Sequence, residues 1–400
     1  MPPWEPRTIL PTEGGISRRA VLGGAGMTLA AAALAGVPAA AAADAAGDPI
    51  SGLLWPSGLG NAADEIEAFE RWRKAPCGVF AGWTNIQKAA QTWDDFMGGP
   101  KGRYEELGAL FSKLGAYNIN KAAQVLPKQV PLVWIFPLLP QEAGNSGKGG
   151  QWKNPGIWRR LTDPNGDLAL WKDVWFNIGA RLVVWLDQHG RAYDTLTMDI
   201  GWELTGNWYP WSIGPDVDGF KPAWRTAIDS LRAGLRHMSA KAEHAVKIGW
   251  RVAGSRITDN QHHIDRVYPG DAWVDVIGRS LHEGPKGQWG RAEGWKRELD
   301  GDGGRLDGLE MVLAFARSQG KKFGVFEWNL AWKQGDPAFP PSEDPAGAMA
   351  NIFAFFRANA TEIAGECYLH NRNTRLIDNQ DNWAGAAEYL RQIALSKRSA

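Results

Sequence analysis

Thr195-Leu196-Thr197-Met198-Asp199-Ile200-Gly201-Trp202-Glu203 reads as a short, mostly apolar strand that runs into an acid. Lys322-Phe323-Gly324-Val325-Phe326-Glu327-Trp328 has the same grammar. Six more short apolar runs lie at 52–56, 78–83, 131–138, 246–252, 273–281 and 365–370. Between the eight lie stretches at 62–74, 104–114, 168–188, 223–239, 306–318, 346–358 and 384–395, with a weaker one at 260–267. Apolar positions recur there at the three-to-four spacing of a core-facing helix. Strands alternating with helices predict an α/β fold, a single-domain (β/α)8 TIM barrel.

A doubly wound sheet needs a glycine-rich turn after an early strand, and none is present. The glycines of 144–150 lack the spacing of a phosphate cradle. Asp300–Asp302 opens like a calcium loop, but Arg305 stands where the sharp-turn glycine must be and Met311 where the bidentate Glu must be.

Of the 400 residues, 1–43 read as an export address. Ser17-Arg18-Arg19 precedes a run of Ala, Gly, Leu and Val as far as Ala43, which is signal-peptide grammar. The paired arginines resemble a twin-arginine signal, with Val21 where Phe is usual. Residues 44–400 then suit one barrel with insertions rather than two or three domains. No later apolar run has spanning length, so no stable membrane association is expected after cleavage, and the expected location is secreted or in the cell envelope.

Forty-four Lys+Arg balance forty-four Asp+Glu, which leaves no basic excess for nucleic acid. Nothing in the sequence demands more than a monomer. No Cys cluster or H-E-x-x-H run is present, so neither metal nor cofactor is expected. Cys77 falls on the second strand and Cys367 on the eighth, with the first strand between them in a closed barrel. That spacing of about 10 Å is beyond disulfide reach, so free thiols are expected.

Active sites of this fold lie at the C-terminal ends of the strands. Glu203 ends the fourth strand and Glu327 the seventh, each beside Trp. An indole neighbour raises a buried carboxyl's pKa and suits it to general-acid work, while a second, ionised carboxylate can attack or act as base. Two such acids are what glycoside hydrolysis requires. The 22 Trp against 7 Tyr and 14 Phe point the same way, because flat rings stack on sugar faces. Trp208, Tyr209 and Trp211, in a loop after Glu203, are candidate sugar platforms. Trp328 is a candidate floor beneath the sugar. Trp83 and Trp55, at strand ends, are candidate cleft walls. His370, with Asn371 and Arg372, follows the eighth strand at the same face. Trp171, Trp175 and Trp185 share one helix and are expected in outer packing.

Gly201-Trp202-Glu203-Leu204-Thr205-Gly206-Asn207-Trp208-Tyr209-Pro210-Trp211 resembles the acid/base motif of glycoside hydrolase family 26, roughly H-E-M-N-G-x-W-Y-x-W. Tyr268-Pro269-Gly270-Asp271 through Gly278 resembles that family's sixth-strand entry, and Phe326-Glu327-Trp328-Asn329-Leu330 its nucleophile strand. The motifs keep their order over about 52–395. The resemblance implies a retaining, endo-acting hydrolase of β-linked glycans such as mannan, glucan or xylan, with Glu203 as acid/base and Glu327 as nucleophile.

The departures are specific. Thr205 replaces an Asn expected to contact the sugar beside the scissile bond. His282 replaces a Tyr that touches the nucleophile, and Ser280 an Asp. Asp199 stands where an Arg is usual, and Arg251 where the family has an uncharged residue. Alternation points Asp199 inward, where it needs a partner, which predicts a swapped Asp199–Arg251 pair. These changes leave two alternatives: a catalytically silent carbohydrate-binding barrel, or the same mechanism on an envelope polysaccharide.

Overall fold

Eight strand positions close into one parallel ring. They are β1 (Ser57–Gly60), β2 (Val79–Trp83), β3 (Leu132–Phe136), β4 (Leu196–Ile200), β5 (Lys247–Val252), β6 (Val276–Arg279) with its short continuation β7 (Leu281–His282), β8 (Lys322–Asn329) and β9 (Ile363–Leu369). Neighbours run β6-β5-β4-β3-β2-β1-β9-β8-β7, and pairing of β6 with β8 closes the ring. The expected (β/α)8 barrel is therefore the observed architecture. The computed structural model describes residues 49–84, 116–139, 156–206, 208–254, 264–283, 288–301, 307–330, 342–370, 374–377 and 384–398. The expected leader at 1–43, the expected helix at 104–114, residues 85–102 and 141–155, residues 260–263 of the expected stretch at 260–267, Asn371 and Arg372 lie outside the described residues.

The first strand begins later than the apolar run at 52–56. Pro56 has no N–H for a ladder, and Trp55 packs outside the ring against Phe353 and Phe356. Leu53 instead bridges to Lys397 in antiparallel fashion. Ladder pairing starts at Ser57, where small residues let neighbouring strands approach: a Cβ on Gly58 would stand 1.8 Å from the Val79 carbonyl oxygen. Gly58 pairs with Val79 on one side and Cys367 on the other, so β1 separates the strands of the two cysteines. Both thiols are free and buried, as their strand positions predict.

The helices are α1 (Ile66–Arg73), α2 (Tyr117–Val125), α3 (Ile157–Arg160), α4 (Leu168–Gln188), α5 (Val217–Met238), α6 (Ala242–Ala245), α7 (Ile264–Val267), α8 (Ala292–Asp300), α9 (Leu309–Ser318), α10 (Pro345–Ala358) and α11 (Ala384–Leu395). Sequence periodicity missed α2 and α8. Asp216 caps α5 by accepting from the Gly219 N–H at 3.1 Å, and Asp344 caps α10 by accepting from Gly347 at 2.9 Å with Pro345 in the first turn. Helix α4 carries Trp171, Trp175 and Trp185 into the layer between ring and helices, where Trp185 meets Trp134 of β3 at 4.9 Å. It also packs very closely on α5. A Cβ on Gly179 would come within 2.1 Å of the Leu231 carbonyl oxygen, and one on Gly234 within 2.0 Å of that of Phe176. Among the described residues no helix is long and apolar enough to cross a membrane.

Candidate active site

The chain leaves β4 at Ile200 and turns sharply. Gly201 has φ +67°, and Glu203 itself has φ +55°, a left-handed conformation that non-glycine residues seldom adopt. The turn, rather than strand alternation, aims the Glu203 carboxylate over the mouth of the ring. Backbone bonds hold it there: the Leu204 N–H donates to the Arg251 carbonyl at 3.4 Å, and Ile213 to Leu204 at 2.8 Å. Thr205 adds a pin, its Oγ1 accepting from the Ala253 N–H at 3.0 Å.

Glu327 reaches the same mouth by a different device. Val325 pairs with Glu366 but Trp328 with Tyr368, so β8 carries one extra residue at Phe326–Glu327. This bulge lets Phe326 and Glu327 both point inward. Without it, alternation from the inward-facing Gly324 would send Trp328 into the ring and Glu327 out among the helices. Trp328 instead packs outside against Phe353, Phe356 and Tyr368 and donates its N–H to Glu366.

Beneath the two glutamates lies a buried ion network. Arg251 donates through Nε to Asp199 Oδ2 at 2.7 Å and through Nη1 to Glu327 Oε2 at 2.7 Å. The same Nη1 also donates to Ser280 Oγ. The swapped pair expected from the sequence is therefore present, and it extends to the second glutamate. Burial disfavours the Arg251 cation, yet Asp199, Glu327 and Glu203 outweigh that and hold it protonated. Burial pushes Asp199 up, with Arg251 opposing it. Burial also acts to raise Glu327, but Arg251 and His282 overcome it and draw the carboxyl down to about 2. Glu327 is thus an anion at neutral pH, which is what an attacking carboxylate needs.

His282, at the end of β7, stands between the two acids. Its Nε2 is 3.5 Å from Oε1 of Glu203 and 3.5 Å from Oε1 of Glu327. The side chain is 36% exposed and open to the cleft. Partial burial works against its charge, but the flanking carboxylates raise its pKa, to about 10. The Oε2 of Glu203 accepts from the Trp208 indole N–H at 2.6 Å. Gly206 lies under that indole, where a Cβ would meet the ring at 2.6 Å. One ligating atom each from Glu203, His282 and Glu327 lie within 4.8 Å of one another, a spacing that also suits a metal ion.

The ring therefore brings together Glu203, Glu327, His282 and Trp208. Tyr209 is half-buried beside them, stacked on Trp211 with centroids 4.6 Å apart. Trp83 ends β2 half-exposed at the mouth, beside Gly60. Five expected contact residues take other roles. Trp211 is fully buried and donates to the Trp202 carbonyl at 2.8 Å, so it props the Glu203 turn from below. Trp328 and Trp55 face the helix layer rather than the cleft. Thr205 is buried, with its oxygen engaged by Ala253. His370 is buried behind the ring, its Nδ1 3.2 Å from Glu65 and its ring 6.0 Å from Phe69 of α1. The contact between Arg251 and Glu327 was not anticipated. An inward arginine one strand from an inward Asp was the available signal, and it showed only half of the bonding.

No protein-family model and no curated protein matches the sequence. Solved structures do match in shape. GH26C from Muricauda sp. aligns over 86% of this chain and 86% of its own, at 12% identity and a TM-score of 0.57. A double mutant of the Cellulomonas fimi endo-β-1,4-mannanase aligns over 85% and 70%, at 16% identity and 0.51. The catalytic domain of a Bacillus sp. GH26 endo-β-1,4-mannanase aligns over 86% of each chain, at 15% identity and 0.50. In shape this chain has the same barrel fold as these family 26 glycoside hydrolase structures, at low sequence identity.

Proposed function

We propose that this chain is an exported glycoside hydrolase that cleaves a β-linked polysaccharide by double displacement. Glu327 attacks the anomeric carbon while Glu203 protonates the leaving oxygen. Water deprotonated by Glu203 then releases the glycosyl group from Glu327. The carrying observation is the approach of the two carboxylates, with an oxygen of each within 4.8 Å of the other. Nearest oxygens this close are compatible with the carboxyl separation of retaining enzymes, about 5–5.5 Å. The lowered Glu327 suits the nucleophile's part. The solved structures described above as endo-β-1,4-mannanases make β-1,4-mannan the first substrate to try, followed by β-glucan and xylan.

A mechanism-based fluorosugar reports directly on the nucleophile. The expected result is covalent labelling of Glu327, and loss of nearly all hydrolysis in Glu327→Ala and Glu203→Ala variants that still fold. No labelling with any sugar of a panel, together with retained glycan binding, is the outcome expected of a silent carbohydrate-binding barrel instead.

Export rests on Ser17-Arg18-Arg19 and the apolar run after it. N-terminal sequencing of protein recovered outside the cytoplasm should begin near Asp44. Recovery only inside the cell, with residues 1–43 retained, would overturn that part.

A further inference from the structure

We infer that Glu203, His282 and Glu327 form a binding site for a divalent transition-metal ion of the zinc type, and that this ion, when bound, switches the catalytic pair off. Three independent features of the geometry carry this. First, the donor set is mixed: two carboxylate oxygens and one imidazole nitrogen, which gives up its proton as the ion binds, converge from three different elements within 4.8 Å. Second, the spacing suits a small ion. His282 Nε2 stands 3.5 Å from Oε1 of each glutamate. Metal–ligand bonds of about 2.1 Å in a tetrahedron put neighbouring ligands about 3.4 Å apart. Two of the three edges are therefore already at tetrahedral length, and the two carboxylates need only draw together.

Third, each carboxylate is oriented by an outer partner on its other oxygen. Trp208 donates to Oε2 of Glu203 at 2.6 Å, and Arg251 to Oε2 of Glu327 at 2.7 Å. Both Oε1 atoms are left facing the imidazole. Hydrogen bonds from outer groups that fix the free oxygen of a ligating carboxylate are a feature of protein metal sites. The exposed side of His282 leaves a fourth position open to water. Three protein ligands including a nitrogen suit zinc and its first-row neighbours. Calcium takes six to eight oxygens, and magnesium wants octahedral oxygen.

The inhibitory part rests on the proposed hydrolase reading. An ion at this point ties up the oxygen with which Glu327 would attack and prevents Glu203 from carrying a proton. The binding part does not depend on that reading.

The test is calorimetric titration of the tag-free, chelator-treated full chain with zinc ion alone, with magnesium as a second arm. One zinc per chain is expected, with no matching magnesium signal. His282→Phe and Glu327→Gln should each weaken zinc binding at least about tenfold, with folding checked by circular dichroism. His282→Gln serves if the Phe variant does not fold. Cobalt(II) in the same site should show visible d–d absorption that is lost in the His282 variants. Absence of saturable zinc binding, or zinc binding unchanged in both His282 variants, overturns the site. Zinc should also suppress polysaccharide hydrolysis reversibly, with chelator restoring it. Zinc binding with no hydrolysis of any glycan would leave the site standing and remove the hydrolase reading. Hydrolysis unaffected by saturating zinc would remove the inhibitory role.

Discussion

Arg251 donates from Nε to Oδ2 of Asp199 across 2.7 Å, and solvent reaches neither side chain. The family that this sequence resembles carries its arginine on the strand of Asp199. Here an acid stands at that place, and the arginine stands on β5, from which it also reaches Glu327. Removing one partner of a buried pair costs about 3–5 kcal/mol, because the other charge stays behind. Arg251→Met leaves Asp199 unpaired and Glu327 with His282 alone, and should reach the upper part of that range in urea unfolding. Combined with Asp199→Asn, it should cost less than the sum of the two single changes by more than about 1 kcal/mol.

The two tryptophans after Glu203 should separate cleanly. Trp211→Ala removes a fully buried ring and should cost about 3–5 kcal/mol of stability. Trp208→Phe keeps a ring at a half-exposed place and deletes the N–H bonded to Glu203. That N–H orients the Glu203 carboxyl, so kcat should fall by about tenfold or more, with a smaller loss of stability than Trp211→Ala brings. Equal losses of stability in the two variants would contradict this division.

The thiols should be silent until the chain unfolds. Burial pushes Cys77 up to about 12 and Cys367 upward as well, so neither is a thiolate at neutral or mildly alkaline pH. A chromogenic disulfide reagent at pH 8 should find no fast-reacting thiol in the folded chain and two after denaturation. The sign of the pH effect follows. Between about 9 and 12 the unfolded chain has lost the Cys77 proton while the folded one keeps it, so stability falls as pH rises through that window. Cys77→Ala should flatten the slope.

Gly234→Ala should be costly for its size. The added carbon would stand 2.0 Å from the Phe176 carbonyl oxygen, which forces α4 and α5 apart. Overpacking of this kind costs about 1–3 kcal/mol, readable as a fall of several degrees in melting temperature.

The alternation of strands and helices was legible because most ring strands lie in short, mainly apolar runs bounded by turn residues; β1, Ser57-Gly58-Leu59-Gly60, is the exception. The carboxylates were legible because an acid at the end of such a run is conspicuous. The directions of the tryptophans were not. Trp328 adjoins Glu327 in sequence, but a one-residue bulge decides which of them enters the ring, and bulges leave no reliable mark in composition. Trp55 sits in an apolar run that looks like a strand because it is buried, although that run is not a ring strand. Thr205 and His370 are polar residues near the catalytic face, and their partners, Ala253 and Glu65, belong to other elements. A residue type announces size and polarity, while the wall that it faces is a tertiary fact.

The left-handed turn at Glu203 has a consequence for how this barrel can change. Glu327 sits in a bulge of a ring strand whose flanking residues are paired, Val325 with Glu366 and Trp328 with Tyr368, so moving it disturbs those pairs. Glu203 hangs outside the ring on a bracket of a few backbone bonds and one threonine hydroxyl. One half of the chemistry inherits the stiffness of the wall, and the other that of the bracket. Warming, or mutation drift within 201–213, should loosen proton delivery well before it disturbs the attacking carboxylate. On the proposed reading, the partner free to drift is Glu203, and new substrates would be fitted from that side.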